Sequence, residues 1–107
     1  MKFLVTSKVK DVFYMLPDEQ RLVIMGAAMA YADKLVKEGK ISEVHVMPGW
    51  GKTMFIVDVE SNDEASQMSL ENPLYNYSDI ESYSLVEWNT WKKQLETAYR
   101  QLAGVKK

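Results

Sequence analysis

Cysteine is absent from the 107 residues, which removes disulfides, thiol nucleophiles, iron–sulfur clusters and cysteine-type zinc sites together. Histidine occurs once, as His45, a poor basis for a transition-metal centre within one chain. No metal and no cofactor is therefore expected. Positive charge is not in surplus: 13 Lys and Arg stand against 15 Asp and Glu, for a formal net charge of −2. Nothing is left over to neutralise phosphates, so nucleic acid is not an expected partner. No window approaches the ~20 apolar residues of a membrane span. The opening Met-Lys-Phe-Leu-Val-Thr-Ser-Lys is too short an apolar run for a signal peptide. What remains, 47% hydrophobic and 26% charged, is the balance of one soluble domain. A single cytoplasmic globular domain is the expectation.

Residues 2–10 alternate, with Phe3, Val5 and Val9 on one side and Lys2, Lys8 and Lys10 on the other, a period-two strand signal. Residues 11–16 read as a connector. Pro17-Asp18-Glu19 opens a helix, since proline suits the first turn and early carboxylates suit the positive end of the dipole. Leu22, Met25, Met29, Ala32 and Val36 recur at helical spacing up to Gly39. The small-residue run Gly26-Ala27-Ala28-Met29-Ala30 predicts a helix lying close on a sheet. Residues 41–47 and 53–59 alternate again across the breakers Pro48, Gly49 and Gly51, which predicts a hairpin. Ser61-Asn62-Asp63-Glu64 matches a capping box and starts a helix to about Glu71. Residues 79–87 read as the last strand. A final helix from Asn89 or Thr90 carries Trp91, Leu95, Ala98 and Leu102 on one stripe and stops at Gly104, and is expected to dock on the body.

The order β-α-β-β-α-β plus a C-terminal helix is the ferredoxin-like α+β arrangement, a four-stranded antiparallel sheet with two helices on one face. Residues 1–88 form that core and 89–107 the helical addition, within one domain. By parity the helix-covered face takes Phe3, Val5, Val44, Val46, Phe55, Val57 and Val59. The other face takes Leu4, Thr6, Lys8, Glu43, His45, Met47, Met54, Ile56 and Asp58. In the last strand Ile80 and Val86 compete with Tyr83 and Leu85 for the core. The second face covers about 400 Å² from standard strand spacings, close to the largest apolar patches that monomers expose. A second copy placed sheet to sheet covers it and encloses a cavity suited to a small molecule. A homodimer or a higher even-numbered oligomer is expected.

Asn72-Pro73-Leu74-Tyr75-Asn76-Tyr77-Ser78-Asp79-Ile80-Glu81 resembles the Pro-Leu-aromatic-x-Tyr-x-Asp-Ile-Glu stretch of the muconolactone isomerase family, within the dimeric α+β barrel group. Val57-Asp58-Val59-Glu60-Ser61, Gly39 and Gly49 fit the same pattern, and the likeness covers most of residues 1–88. It implies an isomerase that moves a proton within an unsaturated lactone bearing a carboxylate. Where the family's second strand is rich in Arg, His and Trp, this chain has Ser42-Glu43-Val44-His45-Val46 and no arginine, so Lys8 is the candidate for an anionic group.

His45 is the natural proton shuttle, because imidazole alone titrates near neutrality when unperturbed. Glu43 stands two strand positions earlier and Asp58 shares its parity on the neighbouring strand. Together they form a candidate acid–base set; Met47 and Met54 offer the cavity an adaptable wall, and Met54 and Ile56 are candidate substrate contacts. Tyr75, Tyr77 and Tyr83 are candidate donors to a carbonyl oxygen. The plainer alternatives are a solvated edge strand for Glu43 and His45, a backbone or lysine partner for Asp58, and loop packing for the tyrosines. Three function classes follow: a cofactor-free isomerase; a cofactor-independent cyclase, dehydratase or monooxygenase of the same barrel group; and a non-catalytic dimer that binds a small molecule.

Overall fold

In the computed structural model, which describes residues 1–104, four strands form one antiparallel sheet. They are β1 (Lys2–Val9), β2 (Ile41–Met47), β3 (Lys52–Asp58) and β4 (Ser78–Leu85), in spatial order β2-β3-β1-β4. Four helices accompany them: α1 (Asp11–Tyr14), α2 (Asp18–Lys37), α3 (Asn62–Glu71) and α4 (Trp88–Leu102). The central β1–β3 pair and the outer β2 and β4 make the ferredoxin-like α+β fold. Leu35 of α2 and Ala65 of α3 close over Phe3, Ile41, Val57 and Val59, so both helices share one face of the sheet.

The strand register carries the predicted parity. Phe3 opposes Val57, Val5 opposes Phe55 and Leu4 opposes Ile56. At the start of β2 the register slips: Ile41 pairs with Val57 while Glu43 pairs with Ile56. Ser42 is the extra residue of a β-bulge, which inverts the alternation of the bulged strand. Ile41 is therefore buried, whereas Glu43 and His45 turn to the helix-free face.

Ser61 caps α3 as its sequence predicts, with the Glu64 backbone N–H donating to Ser61 Oγ at 3.1 Å and the Glu60 N–H donating to Glu64 Oε1 at 3.2 Å. Ser61→Ala is expected to cost ~1 kcal/mol, read as a small parallel shift of the urea midpoint with the strand signal unchanged. Gly39 ends α2 with φ +76°, a left-handed conformation that glycine adopts without a Cβ penalty.

Four expectations are corrected. The connector after β1 contains a helical turn, α1, because Phe13 is buried and stacks edge-on against Tyr14 and Tyr77. The face of α2 turned inward is not centred on the Leu22–Met25–Met29–Ala32–Val36 stripe, of which Leu22, Met29 and Val36 are exposed and Met25 and Ala32 half-buried. It is the row one residue earlier, Ile24, Ala28, Tyr31 and Leu35. Consecutive Leu22-Val23-Ile24-Met25 make α2 apolar almost all round, so spacing alone does not choose its docking side. The small residues of α2 do not bring it close to the sheet either. Ala28 and Ala32 border an open space between α2 and the strands, because side chains this short leave volume unfilled.

The fourth correction concerns α4. The helix forms, but none of its residues is buried, and it docks on no other element among the described residues. Glu87, at φ −61° and ψ 143°, continues the extended line of β4, so the helix projects outward. The molecule measures 67 × 28 × 22 Å, with a radius of gyration of 18.4 Å, against ~13 Å for a compact chain of about this length. Residues 105–107, the end of the segment assigned to this helix, lie outside the described residues.

Candidate active site

The helix-free face is organised in rows that run across the strands. Glu43, Ile56, Leu4 and Tyr83 make one row; His45, Met54, Thr6 and Glu81 make the next. Beyond them lie Met47, Lys52, Lys8 and Asp79, and at the opposite end Asp58, Lys2 and Leu85. Seven predicted site residues, Lys8, Glu43, His45, Met54, Ile56, Asp58 and Tyr83, thus share one surface. In β4 the competition is settled as Tyr83 and Leu85 on this face and Ile80 toward the helices.

Two polar pairs flank an apolar floor. On β2, His45 Nε2 lies 3.1 Å from Glu43 Oε1, with both side chains exposed. On β4, the Tyr83 hydroxyl donates to Glu81 Oε2 at 2.8 Å. The pairs stand on opposite edges of the sheet, three strand spacings or ~14 Å apart, with Leu4, Met54 and Ile56 between them. Lys52 Nζ reaches Glu81 Oε1 at 3.8 Å, while no carboxylate lies within ion-pair distance of Lys8 among the described residues. Lys8, one row beyond His45, is thus free among the described residues to meet an anion on this face, as is Lys2 at its other end.

The remaining candidates sit elsewhere or are already engaged. Asp58 lies 3.5 Å from the N-terminal ammonium, a partner the sequence reading did not name. Tyr75 borders a groove beside α3 on the helix side, and Tyr77 packs against Phe13 with ring centroids 6.0 Å apart. Neither joins the His45 face, because the turn before β4 folds back toward α1 and α3. Among the described residues, no three His, Asp or Glu side chains cluster as metal ligands would. No described helix is long and apolar enough to cross a membrane.

A second feature was missed in the sequence. Between α2 and the sheet lies a cavity of about 450 Å³, lined by Val5, Met25, Ala28, Val44, Phe55 and Leu74 among others. Its signal was the Met- and Ala-rich composition of α2, read there as close packing.

Two phenols are held above the ordinary value of 10.0. For Tyr83 the main cause is the hydrogen bond to Glu81, which needs the phenolic proton. For Tyr31 it is burial, followed by the Glu71 and Glu38 charges, and its hydroxyl donates to the Met68 carbonyl at 2.8 Å. A raised folded-state pKa means the native state holds its proton longer than the unfolded chain. The resulting stability is complete below about pH 10 and is lost as pH rises through the folded value. Ultraviolet titration is expected to show these two phenols ionising above the ordinary phenol value, and Glu81→Gln to bring Tyr83 back toward it.

The muconolactone delta-isomerase family model matches residues 1–90, which is the sheet and its two covering helices without most of α4. A curated Muconolactone Delta-isomerase of Acinetobacter baylyi is 33% identical over 70 residues, covering 65% of this chain and 73% of the relative. The crystal structure of a muconolactone isomerase superposes with a TM-score of 0.71 at 24% identity, covering 81% of this chain and 90% of that one. The family match over nearly all of the sheet-and-helix body, together with the shared fold, places this chain in the muconolactone delta-isomerase family.

Proposed function

We propose that the chain is a cofactor-free isomerase that shifts a proton on a small unsaturated lactone or a related oxygenated metabolite, acting as a homodimer. The observation that carries this reading is the His45–Glu43 pair at 3.1 Å, set on an apolar sheet face within the family's fold. With Nε2–H donating to Glu43, His45 Nδ1 keeps a free lone pair, the arrangement of a base oriented by a carboxylate. The base removes a proton from the γ carbon, at the far end of the conjugated system, and returns it to the carbon next to the carbonyl as the double bond moves one position away. Lys8 holds a carboxylate on the substrate, and Leu4, Met54 and Ile56 present the apolar wall. A second copy laid sheet to sheet excludes water from that wall, which strengthens each charge interaction inside.

Incubation with carboxylated unsaturated lactones in D₂O tests the reading. Deuterium is expected at the two carbons that exchange a proton, followed by nuclear magnetic resonance. A panel of such lactones that remains free of deuterium, with the dimer present by sedimentation, rejects it.

The cavity between α2 and the sheet favours a second reading, a dimer that binds an apolar small molecule without turning it over. Among the described residues lining that cavity, Asp33 and Tyr31 alone are titratable, too little for acid–base chemistry. Saturable binding of an apolar aromatic with no deuterium exchange on any lactone selects this reading.

A further inference from the structure

Two features of the C-terminal half stay unpartnered within one chain. The first is the stripe of α4: Trp91 and Leu95 are 48% and 38% exposed, and Leu102 80%. The second is a groove of about 440 Å³ between α3 and β4, with Phe3, Ala65, Leu70 and Ile80 in its walls and serines along its sides. Charge divides along the same line. Residues 53–91 contain eight Asp and Glu and no Lys or Arg, whereas residues 92–104 contain Lys92, Lys93 and Arg100 against Glu96 alone. Glu60, Asp63, Glu64 and Glu71 lie on or beside α3, and among the described residues no cation stands within ion-pair distance of them.

We propose that α4 is an exchanged arm, whose Trp91–Leu95–Leu102 stripe seats in the α3–β4 groove of a second copy of this chain. Lys92, Lys93 and Arg100 then meet the acidic surroundings of α3, and the partner's arm docks in return across a two-fold axis. An aromatic side chain buries ~150–250 Å² when fully covered, so one arm removes about 400 Å² after discounting what its own helix covers. Two arms and two grooves together reach the ~1,200–2,000 Å² of a stable complex. A basic amphipathic helix also suits an anionic lipid surface, but here the apolar groove and its acidic border belong to the same chain. The inference is independent of the chemistry on the opposite sheet face, and its readouts need no substrate.

The absence of native cysteine allows a direct test in the full-length chain. Leu95→Cys and Ser66→Cys combined in one chain are expected to give a disulfide-linked dimer on mild oxidation, reversed by dithiothreitol. Thr97→Cys with Ser66→Cys, on the polar side of α4, is expected to cross-link far less. A monomer carrying an internal disulfide shows instead that the arm folds back on its own groove and overturns the proposal, as does equal cross-linking by both pairs or by neither. Without any cysteine, Lys92→Glu with Lys93→Glu is expected to raise the dissociation constant by roughly tenfold in sedimentation. Adding Asp63→Lys and Glu71→Lys is expected to restore association, and an unchanged dissociation constant in the first variant rejects the charge pairing. Cosedimentation of the full chain with phosphatidylserine vesicles that depends on Lys92 and Lys93, without the disulfide dimer, assigns α4 to a membrane surface and overturns the exchange.

Discussion

Replacing His45 with alanine, or Glu43 with glutamine, is expected to lower isomerase turnover by at least tenfold and by as much as ~10²–10⁴-fold, the usual contribution of a positioned acid–base group. Each tenfold loss corresponds to ~1.4 kcal/mol of barrier. His45→Ala removes the lone pair that takes the proton. Glu43→Gln keeps the shape of its side chain but removes the charge that orients the imidazole through the 3.1 Å contact. The two losses are expected to be less than additive, because the residues act as one unit. The pH–rate profile should lose a limb in His45→Ala, and sedimentation should show the dimer intact, since both side chains are exposed in the single chain. Full turnover in the double variant would remove the pair from the mechanism and direct attention to Tyr83, Glu81 and Lys8.

Phe3→Ala should produce the largest loss of stability among single core changes. Phe3 lies on β1, in the centre of the sheet, 4% exposed and clustered with Leu35, Ile41, Val57, Val59 and Ala65. Deleting a buried phenyl ring costs ~3–5 kcal/mol, a large share of the ~5–15 kcal/mol that holds a domain together. At ~4–8 °C per kcal/mol for a domain of about this size, the melting temperature falls by well over 10 °C. Phe3→Leu keeps most of the volume and is expected to lose less than half as much. Urea midpoints measure both, and a shift under ~1 kcal/mol for the alanine variant would place the core's centre elsewhere.

The parts of the molecule legible in the residues alone are those set within a few positions of one another. Alternation in β1 and β3 sorts Phe3, Val5, Phe55 and Val57 from Leu4, Met54 and Ile56, because side chains of a strand point to opposite faces in turn. Ser61 and Glu64 start α3 through bonds between residues three and four positions apart. The element order and the resemblance around Asn72–Glu81 lead to the fold and the family.

Other features arise only when the elements meet. Ile41 and Glu43 have the same parity along the chain, and it is the bulge at Ser42, a property of how β2 pairs with β3, that sends one inward and the other to the open face. Which side of α2 is buried depends on where the helix lands on the sheet, since Leu22-Val23-Ile24-Met25 offers an apolar group in almost every direction. The gap under Ala28 and Ala32 exists because packing density is a sum over facing side chains that no single segment contains. Tyr75 and Tyr77 leave the open face because the turn before β4 folds toward the helices. The sequence by itself determined the stripe of α4, and the tertiary structure left that stripe uncovered, because the extended backbone at Glu87 carries the helix outward from the sheet and the helices packed on it.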